Sequence, residues 1–135
     1  MSGAGPAADN SGNVYVATGN GARALPPSST NLEMSMIKLT PNSSNNTLSA
    51  ASYFTPYNYS TLDASDLDFG VTQVLLIPNT NMGLTGCKDG NLYLVDKDNM
   101  GGLGSTSNAN AQTLNVGGAM HSSFGYYKGS SSEFI

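Results

Sequence analysis

The sequence predicts an all-β fold, and three features indicate it. Only 10% of the 135 residues are charged, against about 25% in an average domain, so the chain lacks the Glu, Lys and Arg that long surface helices carry. Its polarity comes instead from Asn, Ser, Thr and 16 glycines, which favour turns. No stretch of about ten residues has the 3.6-residue period of an amphipathic helix. Short strands joined by many turns are therefore expected.

Apolar runs of strand length recur along the chain, each bounded by turn residues. Three of them end at a proline. Asp89-Gly90 is the predicted hairpin turn between the fifth run and the sixth. In chain order, the predicted strands are NVYVAT (13–18), SMIKLTP (35–41), LSAASYFTP (48–56), GVTQVLLIP (70–78), MGLTGCKDG (82–90), NLYLVDKD (91–98), QTLNVG (112–117) and HSSFGYYKG (121–129).

Within single strands, apolar residues occupy both faces. In the run NLYLVD, Leu92 and Leu94 lie on one face, and Tyr93 and Val95 lie on the other. A strand that is apolar on both sides belongs to a sheet that is covered on both sides. Sheets stacked on sheets meet that requirement, as in the blades of a β-propeller.

The sequence also contains an internal repeat. GPAADNSGNVYVATGNG followed by SMIKLTP aligns with GVTQVLLIPNTNMGLTGCKDG followed by NLYLVDKD, and the copies begin at Gly5 and Gly70. One copy spans 5–56, another spans 70–117, and 121–135 begins a further one. Residues 1–135 are therefore interpreted as a single segment of two four-stranded antiparallel blades and the start of a third, in an incomplete ring.

Four stretches together resemble the PQQ-like (quinoprotein-type) β-propeller repeat family: GPAADNSGNVYVATGNG, YFTPYN, LDASDLDFG and GCKDGNLYLVDKDNMGG. The resemblance covers most of residues 3–129. It implies a larger ring, of which this chain would be an excerpt, and an extracytoplasmic location, although the segment itself carries no signal peptide. It also implies that outer blade faces stack on the remaining blades. The isolated chain is therefore expected to be poorly soluble or to associate through those faces.

The resemblance raises the question of a quinone cofactor. Family enzymes that use pyrroloquinoline quinone (PQQ) stack its ring on Trp, near a calcium site and often a vicinal cysteine pair. This chain has no Trp and one cysteine, so PQQ and calcium are expected only together with blades outside this segment. The lone Cys87 forms no internal disulfide and no cysteine-based zinc site, and it is expected to be a small buried side chain.

The stretch LDASDLDFG places three carboxylates, Asp63, Asp66 and Asp68, within six residues. Their mutual repulsion must be offset by a cation, by basic neighbours or by backbone N–H groups in turns. One interpretation is that Asp66 and Asp68 cap the turn before strand 70–78. The other is a calcium site, for which the three aspartates are the candidate metal ligands.

A propeller gathers on one face the loops that enter each first strand and those that join second to third strands. The predicted strands place Asp63–Asp68, Lys88-Asp89-Gly90, His121 and the insertion 20–34 on such loops. This is therefore the predicted ligand face, with Lys88, Asp89 and His121 as candidate ligand-face residues. His121, the only histidine, is interpreted either as a structural hydrogen-bonding group or as a channel-lining contact.

Two stretches imitate ligand-binding motifs. Gly19-x-Gly21-x-x-Ala24 follows a strand, as a dinucleotide fingerprint does, but Pro26-Pro27 follows with no helical period, so a loop between strands is expected. DKDNMGG (96–102) spaces two aspartates like calcium ligands. Met100 occupies a ligand position of a helix–loop–helix calcium loop, however, so a turn is expected.

The charge and the hydropathy of the chain argue against nucleic-acid and membrane functions. The net charge is −4 and the five basic residues are scattered, so neither nucleic-acid binding nor a polybasic membrane patch is expected. No apolar run approaches the ~18 residues of a membrane span.

The first hypothesis for the function is a non-catalytic propeller segment that acts as a binding or structural scaffold for a protein, glycan or small-molecule ligand. The alternatives are part of a PQQ-dependent quinoprotein dehydrogenase oxidising alcohols or sugars, and an architectural repeat of an adhesin-like surface protein.

Overall fold

A computed structural model of the chain describes residues 5–21, 26–108 and 111–135. Strands dominate these ranges, and α1 (Tyr59–Ala64), the one helix among them, has six residues. The predicted all-β fold is therefore confirmed. No helix in the described part of the chain is long and apolar enough to cross a membrane.

Two sheets hold most of the strands. The strands in chain order are β1 (Ala7–Ala8), β2 (Val14–Ala17), β3 (Met36–Asn42), β4 (Thr47–Thr55), β5 (Leu75–Leu76), β6 (Met82–Gly86), β7 (Asn91–Asp96), β8 (Gly102–Leu103), β9 (Ala111–Asn115), β10 (Tyr127–Lys128) and β11 (Glu133–Phe134).

Each of the two sheets contains a four-stranded antiparallel meander. The first pairs β1-β2-β3-β4, and the second pairs β5-β6-β7-β9. These strands fall within the predicted repeat copies 5–56 and 70–117, and the separate hairpin β10–β11 falls within 121–135. Strand β8 leaves the second meander and pairs in parallel with the end of β4, so the β7–β9 connection ties the two sheets together. Within the described residues the sheets do not close a ring.

The predicted hairpin at Asp89-Gly90 is confirmed, because β6 and β7 pair directly across it. The predicted strand 70–78 is much shorter, since only Leu75–Leu76 joins the sheet. Gly70 has φ +73°, which takes the chain out of the extended conformation. The Thr72 hydroxyl then accepts the hydrogen bond from the Gly86 N–H at 2.8 Å, in place of a backbone carbonyl. Pro78 lies in the turn that follows β5.

The core lies between the two sheets. A ring cluster of Phe54, Phe69 and Tyr93 brings β4, the β5 entry and β7 together, with centroids 5.3–6.2 Å apart. Met36 lies over Gly83, where a Cβ would be 2.5 Å from the Met36 Cε, so the glycine permits the close approach of the sheets. Each sheet therefore has an inner face, turned to the other sheet, and an outer face.

The two faces of β7 differ in how well they are covered. Tyr93 and Val95 are buried on the inner face. On the other face, Leu92 and Leu94 line a groove of about 320 Å³ and remain partly exposed. Both faces of this strand are apolar, as the sequence indicates, but cover on the outer face is incomplete.

Candidate functional site

Loops from four parts of the chain meet at the end of the sheets where β2, β4, β6 and β9 finish. The backbone N–H groups of Asn20 and Gly21 donate to Asp68 Oδ1 and Asp63 Oδ1, each at 3.1 Å. Lys88, from the β6–β7 turn, forms an ion pair with Asp68 Oδ2 at 2.5 Å. We call this set of loops, residues 18–21, 57–74, 86–91 and 115–121, the loop end of the molecule.

Lys88 links two of the three aspartates. Its ammonium group also lies 3.3 Å from Asp66 Oδ2 and donates to the Asp66 carbonyl at 3.1 Å. Partial burial raises the pKa of Asp68, but hydrogen bonds from Lys88 and from the Asn20 N–H outweigh it, and the pKa lies below its ordinary value. The hydrogen bond to Asp68 raises the pKa of Lys88. Asp68 and Lys88 therefore form a charged pair at neutral pH.

The hydrogen bonds and ion pairs of the loop end account for the charge of the predicted metal ligands Asp63, Asp66 and Asp68. The charge of these aspartates is offset by a basic neighbour and by backbone N–H groups. These are two of the three ways that the sequence leaves open. The N–H that Asp68 accepts comes from Asn20 and not from its own turn. No three Asp, Glu, His or Cys side chains within the described ranges are grouped as a metal site would require. Calcium binding by the three aspartates stays a prediction.

The other two candidate ligand-face residues have different surroundings. The Asp89 carboxylate accepts hydrogen bonds within its own turn, from the Asn91 N–H at 2.9 Å and the Asn91 amide at 2.6 Å. His121 is exposed, in the segment after β9. The preceding Met120 lies against Gly86, where a Cβ would be 3.0 Å from the Met120 Cε, so this segment runs beside the β6–β7 turn.

The two imitative motifs take non-ligand roles where the structure describes them. In DKDNMGG, Asp96 Oδ1 accepts the Asp98 N–H at 3.0 Å and the Asn81 amide at 2.9 Å, and Met100 is fully buried. The predicted turn is confirmed. After Gly19 the described chain continues as a loop to Gly21, without a helix, and Ala24 lies outside the described residues together with the rest of 22–25 of the insertion 20–34.

Cys87 is buried, as the sequence indicates. Its Sγ–H donates to the Leu67 carbonyl at 3.2 Å. Burial raises the pKa of the thiol to about 12, so almost no thiolate forms at neutral pH.

A polar cleft at the side of the loop end was not predicted from the sequence. It has a volume of about 460 Å³ and lies between the β4–α1 connection, the start of β7 and the β8–β9 connection. Its lining includes Tyr57, which is 46% exposed, and three asparagines, Asn58, Asn91 and Asn108. The only local signal is the Tyr-Asn pair at the end of YFTPYN, because the other asparagines are distant in sequence.

Comparisons of the chain with protein-family models, with curated proteins and with solved structures found no significant match.

Proposed function

We propose that the chain is a non-catalytic scaffold segment of stacked β-sheets, of the β-propeller type that the sequence resemblance implies. The observation that carries the proposal is the difference between the two sides of each sheet. The inner faces pack on each other, whereas the outer faces are also apolar but are covered only in part. In a propeller, such faces receive further sheets of the same kind.

The outer face of the second sheet carries an apolar groove. Leu84, Leu92 and Leu94 line its groove, and Leu114 on the edge strand β9 is 56% exposed. Only Phe124 and Ile135 from the C-terminal segment reach this groove. An apolar surface of this kind on a sheet favours association with another apolar surface.

The outer face of the first sheet has the same character. Tyr15 and Lys38 pair on the inner face, where the Lys38 ammonium lies 3.8 Å from Asp98, in the turn after β7. Their neighbours Val14 and Leu39 pair on the outer face and are partly exposed. The two outer faces are therefore suited to stack on each other, head to tail, in successive units.

We also propose that this scaffold presents the loop end to a ligand. The side chains of the loop end are fixed by contacts between distant segments, above all Asn20 to Asp68 and Lys88 to Asp66 and Asp68. Loops held in this way on a rigid sheet scaffold are a common position for binding sites.

The association of the chain tests the stacking. We expect its mass in sedimentation equilibrium to rise with concentration, and Leu94→Lys to shift it towards the monomer by placing a charge on the outer face. Tyr57→Lys is the control, because Tyr57 is 46% exposed but lines a cleft with Tyr93 and Thr113, on the inner-face side of the second sheet. A chain that stays monomeric at all concentrations and unfolds cooperatively would contradict the proposal.

A further inference from the structure

The cleft beside Tyr57 has the composition of a site for a neutral, hydroxyl-rich ligand. Its lining combines an exposed aromatic ring with amide and hydroxyl side chains, among them Asn58, Asn91, Thr106 and Asn108. No charged side chain is among the described residues that line it. Its volume of about 460 Å³ lies within the range of roughly 300–1,000 Å³ for small-ligand clefts.

Two of the asparagines are held in place from behind. Asn108 Oδ1 accepts the Tyr57 N–H at 3.0 Å, and its amide donates to the Thr113 hydroxyl at 2.8 Å. Asn91 donates to Asp89 Oδ2 at 2.6 Å, and its Oδ1 accepts the Asn115 amide at 2.9 Å. The wall of the cleft is therefore preorganised, which lowers the entropic cost of binding a ligand.

Other polar groups of the cleft have no partner among the described residues. Asn58 precedes α1, but its side chain makes no capping hydrogen bond. Thr106 and Ser107 are exposed, and no hydrogen bond joins their hydroxyls to another described residue. Amide and hydroxyl groups both donate and accept, so they match a ligand whose own groups do the same.

From these features we infer that the cleft binds a neutral oligosaccharide, with one sugar ring against Tyr57. A pyranose presents an apolar C–H face, which packs on an aromatic ring, and a rim of hydroxyls, which pair with the amides. An anionic ligand would find no cation in the lining, and a wholly apolar ligand would leave the amides without hydrogen bonds. The inference gives a ligand class to the loop end and so rests on the scaffold role proposed above.

Saturation-transfer NMR with cellotetraose, maltotetraose and chitotetraose tests the inference, and it works whether or not the chain associates. We expect transfer to the ring protons of at least one of these neutral sugars. Tyr57→Ala should weaken binding about tenfold through loss of the ring, whereas Tyr57→Phe should keep it within about threefold. Tyr127→Ala is the matched control, because Tyr127 is 66% exposed on the β10–β11 hairpin and should not affect binding.

Three results would overturn the inference: no transfer to any of the three sugars, binding that Tyr57→Ala leaves unchanged, or a preference for tetragalacturonate or adenosine over the neutral sugars. A chain that binds a neutral sugar but never associates would overturn the stacking and leave the cleft assignment intact. Association without sugar binding would do the reverse.

Discussion

Two turns at opposite ends of the molecule have the same hydrogen-bond pattern. In the Asp9–Tyr15 corner, the Asp9 carboxylate accepts from the Asn13 N–H and amide, each at 2.9 Å, and from the Tyr15 hydroxyl at 3.0 Å. In the Asp89–Tyr93 corner, Asp89 accepts in the same way from Asn91 and, at 3.4 Å, from Tyr93. Both tyrosines are buried, so each aspartate satisfies a hydroxyl that would otherwise lose its hydrogen bond to water.

The corners differ in length and in position. Asp9 lies four residues before its asparagine and also accepts the Ser11 N–H at 2.9 Å, whereas Asp89 lies two residues before its own. The first corner joins β1 to β2, and the second joins β6 to β7, so they occupy different places in their meanders. The fixed part is therefore Gly-Asn-x-Tyr, and the number of residues between the aspartate and the glycine can vary.

Substitution of the glycines in the two corners is expected to give the largest difference in the stability of the fold. Gly12 and Gly90 have φ of +81° and +83°, so an alanine is strained at either position. A Cβ on Gly90 would also lie 3.0 Å from the Gly118 carbonyl oxygen, whereas one on Gly12 would meet only Pro41, at 3.8 Å. We expect Gly90→Ala to destabilise the fold by about 2–4 kcal/mol, and Gly12→Ala by about 1–2 kcal/mol.

Urea unfolding at one protein concentration measures both effects. Gly125→Ala is the control, because nothing lies within 4 Å of its Cβ position and its φ is not in the left-handed region. Equal losses at Gly12 and Gly90 would show that the close approach of Gly118 carries no cost.

Removal of the two carboxylates is expected to give the next largest difference in the stability of the fold. Asp9→Ala should cost about 2–3 kcal/mol and Asp89→Ala about 1–2 kcal/mol, since Asp9 accepts a further backbone N–H and forms the shorter bond to its tyrosine. The same unfolding assay measures both. A larger loss for Asp89→Ala would mean that the length of the Asp9 turn weakens that corner instead of adding to it.

A smaller difference is expected from the hydroxyls alone. Tyr15→Phe should cost about 1 kcal/mol, because it removes a 3.0 Å hydrogen bond to Asp9. Tyr93→Phe should cost less than about 0.5 kcal/mol, because 3.4 Å is long for a hydroxyl donor. Thermal unfolding of the two variants, each with its ring packing kept, compares them. The reverse order would contradict the assigned bond strengths.

The contribution of the Asp9 corner to the stability of the fold is expected to fall in acid. The Asn13 side-chain hydrogen bond is the largest cause that lowers the pKa of Asp9 to about 2, from 3.8. A carboxylate with a lowered pKa stabilises the fold above pH 3.8, and this contribution is lost as the pH falls from about 4 to 2. The urea midpoint of the native chain should fall more steeply across this range than that of Asp9→Asn. Parallel curves would contradict the shift.

Local signals predicted much of the fold. Asp89-Gly90 gives a hairpin because the turn residues and both strands are contiguous in the chain. The strand 70–78 was predicted too long, since the role of the Thr72 hydroxyl at Gly86 depends on the partner strand. Helix α1 was not predicted, because six residues are too few to show a helical period.

The candidate site was less accessible to sequence analysis. The three aspartates were found because they are close in sequence, but their partner Lys88 lies 22 residues beyond Asp66. The cleft needs Tyr57 and Asn108, which are 51 residues apart and meet only when β8 crosses to the first sheet. The corners show a similar limit, because alignment by strand order places the Asp9 and Asp89 turns at different points of the repeat.

A mixing experiment with two blocked variants tests the stacking most directly. Leu39→Lys blocks the outer face of the first sheet and leaves that of the second open, and Leu94→Lys does the opposite. Head-to-tail stacking predicts that each variant alone stays monomeric and that an equimolar mixture forms a complex of one copy of each, as measured by sedimentation. A mixture that stays monomeric, or a variant that dimerises alone, would contradict it.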